Sequence, residues 1–145
     1  MKQLLAAAAV AITLTAHAQR SADVDVKSAW ARPTVAGQTG TGAFMHLMSK
    51  DGARLLGASS DVAGVVEIHE MAMQGNVMRM RAIHNLDLPP GSRVELKPGG
   101  HHIMLMDLKR PLTTGETIKV ELRVETRDKK LVTQPIEIEV RSSAP

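Results

Sequence analysis

Residues 117–126, TIKVELRVET, decide the fold class, because apolar and charged side chains alternate strictly along them. In an extended chain, successive side chains point to opposite faces, so the apolar residues share one side of the strand. This side carries Ile118, Val120, Leu122 and Val124. One buried and one solvated face is typical of an antiparallel strand. Residues 135–141, PIEIEVR, repeat the pattern, and the C-terminal part of the chain therefore predicts paired strands.

Similar short runs, separated by turn-forming residues, occupy the rest of the chain. They predict strands at 24–30, 41–48, 53–59, 64–72, 77–84, 92–97 and 101–108. No segment shows the periodicity of an amphipathic helix of useful length. Many short strands at this spacing predict an all-β fold, either a sandwich or a small barrel.

The N-terminus predicts a secretory signal peptide at residues 1–18, followed by a single domain at residues 19–145. Lys2 supplies the positive charge, residues 4–16 form an apolar run, and residues 16–18 (AHA) provide a cleavage site of small residues. We therefore expect an exported, periplasmic protein whose mature chain starts at Gln19. No other stretch approaches transmembrane length, and no Cys is present for lipid attachment, so we expect no membrane span or lipid anchor in the mature chain.

The composition argues against several classes of function. Removing residues 1–18 takes away one lysine and no acid, which lowers the net charge from +3 to +2. Basic and acidic residues alternate, and Trp30 and Phe44 are the only aromatic residues, so a nucleic-acid surface is not expected. Without Cys there is no thiolate nucleophile and no blue-copper site. Ser, His and Asp form no catalytic signature, and we predict that the protein is not an enzyme.

Methionine and histidine are concentrated in two segments of the chain. Residues 65–84, VVEIHEMAMQGNVMRMRAIH, predict a hairpin centred between Gln74 and Gly75. This register places His69 opposite Met80 and Met71 opposite Met78, with directly opposed Cβ atoms about 5 Å apart.

The second segment, residues 101–106 (HHIMLM), brings His102 and Met104 onto one face of a strand, with Met106 beyond them. Imidazole and thioether groups are the ligands that soft Cu(I) prefers. Thioethers are not usual zinc ligands, and no acidic loop suits Ca²⁺ or Mg²⁺. A methionine site also survives an oxidising compartment in which thiols would form disulfides.

The full spacing resembles the signature of the PCuAC-type periplasmic copper chaperones, H-x(10)-M-x(21)-H-x-M. His69, Met80, His102 and Met104 match its fixed positions. The surrounding text, VEIHEM, VMRMR and LPPGSRVELKPGGHHIMLMDL, is also similar to the family, and the similarity runs from about Val24 to Val140.

The resemblance implies a cupredoxin-like Greek-key β-sandwich of short antiparallel strands that binds one Cu(I) through these four residues. It also implies copper delivery for assembly of the cytochrome c oxidase copper A centre, with a thiol-containing acceptor such as a Sco-type protein or the oxidase subunit. Some relatives carry a His/Met-rich tail that binds a further copper. This chain has no His or Met after Met106, so we expect no tail site.

The sequence is also compatible with two alternative functions: copper buffering or resistance in the periplasm, and a β-sandwich interaction module without metal. Met71 and Met78 are left open as core or rim residues. Packing is the expected role of Met45, Met48, Met73 and Met106, and Trp30 and Phe44 are expected in the core. His46, His84 and His101 are not expected to be ligands, and His101 is given a surface or supporting role because it points away from His102.

Overall fold

The computed structural model describes residues 24–145, and the predicted signal peptide and cleavage site lie outside this range. The described chain consists of ten strands joined by turns and loops. The strands are β1 (Val24–Ala31), β2 (Gly40–Ser49), β3 (Ala53–Ser59), β4 (Ala63–Gln74), β5 (Val77–Ile83), β6 (Leu86–Leu88), β7 (Arg93–Leu96), β8 (His102–Leu108), β9 (Thr117–Thr126) and β10 (Leu131–Val140). Within residues 24–145, no helix is long and apolar enough to cross a membrane. The expected all-β class is confirmed.

All ten strands belong to one hydrogen-bonded sheet, in the order β5-β4-β8-β2-β1-β10-β9-β3-β6, with β7 paired to β2. Strand β2 is shared, since Gly40–Ala43 pair with β8 and Met45–Met48 pair with β7. All of these pairs are antiparallel except β1–β10, which is parallel at Trp30 and Ala31. The sequence predicted antiparallel strands and did not indicate this parallel pair, which joins the first and last strands of the chain.

The core is built from the alternating faces that the sequence predicted. Ile118, Val120, Leu122 and Val124 of β9 are all buried. They join one cluster with inward-facing residues of the other strands, including Ile68 of β4 and Leu105 of β8. Because these residues alternate with outward-facing ones, each strand presents its second face away from the core.

Strand β10 begins at Leu131, four residues before the predicted start at Pro135. Proline lacks an N–H group and is tolerated where a strand has no neighbour on that side. Pro135 pairs with Glu121 of β9, whereas β1 reaches β10 only at Glu139 and Val140. The proline therefore occupies an edge position and does not interrupt the strand.

Candidate functional site

The β4–β5 hairpin turns at Gly75 and Asn76, with Gln74 opposite Val77. Gly75 has a φ of 62°, a left-handed conformation that glycine adopts without strain. Met71 consequently faces Met80, Met73 faces Met78, and His69 faces Ala82. The register predicted from the sequence was wrong by two residues. Because side chains alternate with a period of two, His69 and Met80 still share a face, now as diagonal neighbours.

Strand β8 supplies the other two predicted ligands directly beside β4. His69 is opposite His102, and Glu67 is opposite Met104. The two imidazole rings have centroids 5.6 Å apart and meet edge to face, at 63°. The intervening residues Ile68 and Ile103 are buried in the core, so both histidines lie on the outer face of the sheet.

One ring nitrogen of His69 has a hydrogen-bond partner, and the other has none among the described residues. Its Nε2 lies 2.7 Å from Oε2 of Glu67, two residues earlier on the same face of β4. Its Nδ1 is buried and has no hydrogen-bond partner among the described residues. If Nε2–H donates to the carboxylate, the lone pair of Nδ1 is left free. A buried nitrogen that lacks a partner is costly, and an electrophile such as a metal ion would satisfy it.

His102 repeats this arrangement with the nitrogens exchanged. Its Nδ1 lies 3.0 Å from the carbonyl oxygen of Gly100, in the turn that precedes β8. Donation from Nδ1–H to this carbonyl leaves the lone pair of Nε2 free. Metal-binding histidines characteristically donate their second ring nitrogen to a carboxylate or carbonyl in this way. In these two tautomers, both histidines offer the lone pair of the second ring nitrogen for ligation.

A cavity of about 400 Å³ lies over this outer face. Met80, His102 and Met104 line it, together with Met71. Its other wall comes from the β1–β2 connection, through Arg32, Pro33 and Gln38. His102 is buried, Met104 is half-buried and Met80 is exposed, so the thioethers lead from solvent toward the imidazoles.

Aromatic residues form the floor beside His102. Phe44 lines the cavity, and its ring centroid is 6.3 Å from that of His102. The ring centroids of Trp30 and Phe44 are 4.8 Å apart, and the guanidinium carbon of Arg32 lies 5.2 Å from the Phe44 ring centroid. Both aromatic residues are buried, as expected, but they lie on the cavity side of the sheet and not in the main core cluster. Gly42 allows this packing, because a Cβ there would come within 2.9 Å of the Phe44 ring.

The remaining histidines and methionines divide into several environments. His101 points away from His102, and its Nε2 lies 3.6 Å from Glu70 on the opposite face of β4. His46 lies beside Glu95, and His84 is exposed. Met45 is buried as expected, whereas Met48 and Met73 are exposed, so their assignment to packing was wrong.

Two contributors to the site were not identified from the sequence. The first is Glu67, although its position two residues from His69 on the same strand face could have indicated a hydrogen bond. The residues of the β1–β2 connection carry no comparable signal, because a loop that folds over a sheet has no periodicity. Among residues 24–145, no cluster of three or more His, Cys, Asp or Glu could hold a metal ion. A metal at this face would therefore depend on thioether sulfur.

Comparison with known proteins identifies the fold and the relatives. The LpqE-like family, described as "Putative lipoprotein LpqE-like", matches residues 24–136. The "Putative lipoprotein Lxx21020" of Leifsonia xyli subsp. xyli is 34% identical over 138 residues, which span 92% of this chain and 83% of that protein. The "Uncharacterized protein RP573" of Rickettsia prowazekii is 31% identical over 109 residues, which span 71% of this chain and 60% of that protein.

Solved structures with the same fold include the copper-bound PCuAC domain from PmoF2, with a TM-score of 0.67 and 24% identity over 83% of this chain and 94% of that one. The solution structure of apo-DR1885 from Deinococcus radiodurans has a TM-score of 0.63 and 26% identity, over 99% of this chain and 95% of that one. The expected resemblance to PCuAC domains and the expected cupredoxin-like sandwich are both confirmed.

Proposed function

The chain belongs to the LpqE-like family, and from this premise we propose that it is a periplasmic copper chaperone. It binds one Cu(I) as cargo through His69, Met80, His102 and Met104 and passes the ion to an acceptor that offers thiolates. The observation that carries the proposal is the pairing of His69 with His102, each with one ring nitrogen held by a hydrogen bond. Such a pair beside two thioethers on one face is a donor set suited to Cu(I).

The character of the donors supports transport of copper. Imidazole and thioether groups are neutral, so they hold Cu(I) without the charge attraction that thiolates add. A thiol-bearing partner, such as a Sco-type protein or the copper A subunit of cytochrome c oxidase, can then withdraw the ion. Copper-bound forms of related structures support the choice of metal, namely the PmoF2 domain and the Cu(I) form of DR1885.

The exposure of Met80 favours delivery over buffering. A site that stores copper gains from burial, whereas a site that hands it over needs at least one ligand that a partner can approach. Met80 is exposed on β5, which is an edge strand of the sheet. We propose no catalytic role, because the cavity face combines imidazoles with thioethers and the sequence carries no nucleophile–base signature.

Anaerobic titration of the protein with Cu(I), against a chromophoric chelator, tests the proposal. We expect one tightly bound equivalent, and X-ray absorption should show two sulfur and two nitrogen ligands. An all-nitrogen and oxygen shell, or no binding in competition with the chelator, would exclude the proposed site. The substitution of both histidines by alanine should abolish the tight equivalent.

A transfer experiment separates delivery from buffering. The Cu(I)-loaded protein is mixed with an equimolar reduced dithiol domain, and the NMR signals of both proteins report where copper resides. Transfer to the dithiol is expected, and copper retained on this chain would favour buffering. Export is tested separately, because a periplasmic fraction should contain a chain that starts at Gln19.

A further inference from the structure

The outer end of the β4–β5 hairpin carries four methionines in a two-by-two array. Met71 and Met73 lie on one face of β4, and their direct partners on β5 are Met80 and Met78. The pairs form two rungs: an inner rung, Met71–Met80, at the cavity, and an outer rung, Met73–Met78, next to the turn. Only the inner rung lines the cavity.

Packing does not account for the outer rung. Met73 is 60% exposed and Met78 is 49% exposed, and Met80 beside them is 54% exposed. The opposite face of the hairpin is charged, with Arg81 paired to Glu70. Neither face of this end is therefore buried within residues 24–145. Large exposed apolar side chains in such a cluster are unusual on a protein surface and call for a function.

We propose that the outer rung, with the Met71 sulfur of the inner rung, is a second binding site for a soft monovalent cation, Cu(I) or Ag(I). Opposed residues in an antiparallel ladder have Cβ atoms about 5 Å apart. Methionine is unbranched and has three rotatable side-chain bonds, so opposed thioethers can converge on one ion. Soft cations are the class that thioether sulfur selects.

The array also has a direction. Residues two apart on a strand are separated by about 7 Å, which is the step from the outer rung to the inner rung. Met80 and Met71 border the cavity that contains His102 and Met104. An ion that binds at the turn is thus one short step from the proposed copper site. This role as a landing position rests on the proposed function, whereas binding at the outer rung does not.

The site should be weaker than the histidine site, because it offers thioethers without an imidazole and is open to water. Ag(I) is a suitable probe, since it is soft, monovalent and resistant to oxidation in air. The experiment uses protein carrying ¹³C-labelled methionine methyl groups. Ag(I) is added past one equivalent while the methyl signals are recorded.

We expect the second equivalent to shift the methyl signals of Met73 and Met78. In the double variant His69→Ala/His102→Ala, the first equivalent should already shift them, because the stronger site is lost. The double variant Met73→Leu/Met78→Leu should weaken the second equivalent at least tenfold and keep the first. A matched control, Met48→Leu/Val77→Leu, alters one exposed thioether elsewhere and one apolar residue of the hairpin, and it should bind both equivalents.

Unmoved Met73 and Met78 signals at saturating Ag(I) would overturn the second site, as would an unchanged second equivalent in Met73→Leu/Met78→Leu. Failure of the proposed function has a different signature. In that case the tight equivalent persists in His69→Ala/His102→Ala, whatever the outer rung does.

Discussion

Removal of the Glu67 carboxylate should weaken copper binding although Glu67 is not itself a proposed ligand. Its Oε2 lies 2.7 Å from His69 Nε2, and the His69 side chain is only 12% exposed. In the proposed site, the carboxylate holds the proton on Nε2 and leaves the lone pair of Nδ1 for the metal. Partners of this kind typically contribute 10–100-fold, or about 1.4–2.7 kcal/mol, to metal affinity. Because the Glu67 side chain is 41% exposed, we expect the lower end, about tenfold, for Glu67→Ala.

The variant Glu67→Gln should lose less affinity, because the amide oxygen can still accept the hydrogen bond but lacks the charge. The matched control is Glu70→Gln, which removes a carboxylate from the opposite face of the same strand, where it pairs with Arg81 and His101. Competition with a chromophoric Cu(I) chelator measures the affinities. We expect them to decrease from the wild type to Glu67→Gln and then to Glu67→Ala. Imidazole ¹⁵N shifts of the apo proteins report the tautomer, which a purely structural role for Glu67 would leave unchanged. An affinity of Glu67→Ala within twofold of wild type would refute the reasoning, and so would an unchanged His69 tautomer.

Three further predictions concern other parts of the chain. Met104→Leu should abolish or strongly weaken tight Cu(I) binding while thermal unfolding shows a loss of less than about 1.5 kcal/mol, because the two side chains have similar volumes; unchanged copper affinity would remove Met104 from the ligand set. Gly42→Ala should cost about 1–3 kcal/mol in denaturant unfolding, since its Cβ would come within 2.9 Å of Phe44 beneath Arg32; a neutral effect would show that the aromatic floor adjusts freely. The Thr113 N–H and the Arg110 guanidinium hold the pKa of Glu116 below its usual range. The stabilisation that Glu116 contributes is therefore present above its unfolded-state pKa, and it is lost as pH falls through the folded-state pKa. Glu116→Gln should therefore lower the free energy of unfolding by about 1 kcal/mol at neutral pH and by progressively less in acid, and a difference that does not change with pH would contradict this cause.

The fold class was predictable because apolar and charged residues alternate with a period of two along β9 and β10. The features of the fold that were not predicted depend on contacts between residues that are distant in the sequence. The three-residue strand β6 is too short to show a period, and it is defined by its pairing with β3 at Ala53, Arg54 and Leu55. The parallel contact of β1 with β10 joins the two ends of the described chain, so no local pattern indicates it.

The predicted ligand residues share a face in the structure although the predicted hairpin register was wrong. A slip of two residues preserves the face of every side chain, whereas a slip of one would have put His69 and Met80 on opposite faces of the hairpin. The ladder register that sets His69 directly opposite His102 was not predicted, because β4 and β8 are separated by three other strands in the sequence. The cavity wall was also beyond prediction, since Arg32 and Gln38 reach the site from a loop.

The proposed ligands differ in how firmly the fold holds them, and this difference bears on release of copper. Met104 on β8 pairs with both β2 and β4, and His69 on β4 pairs with both β5 and β8. His102 pairs with His69 of β4 and is buried. Met80 alone stands on an edge strand, with neighbours on one side only and a side chain that is open to solvent. Edge strands open more readily than central ones, because they make fewer buried contacts. If copper is exchanged with a partner, the bond to Met80 is therefore the one that a thiolate can replace first, while the two histidines hold the ion in place until the second thiolate arrives.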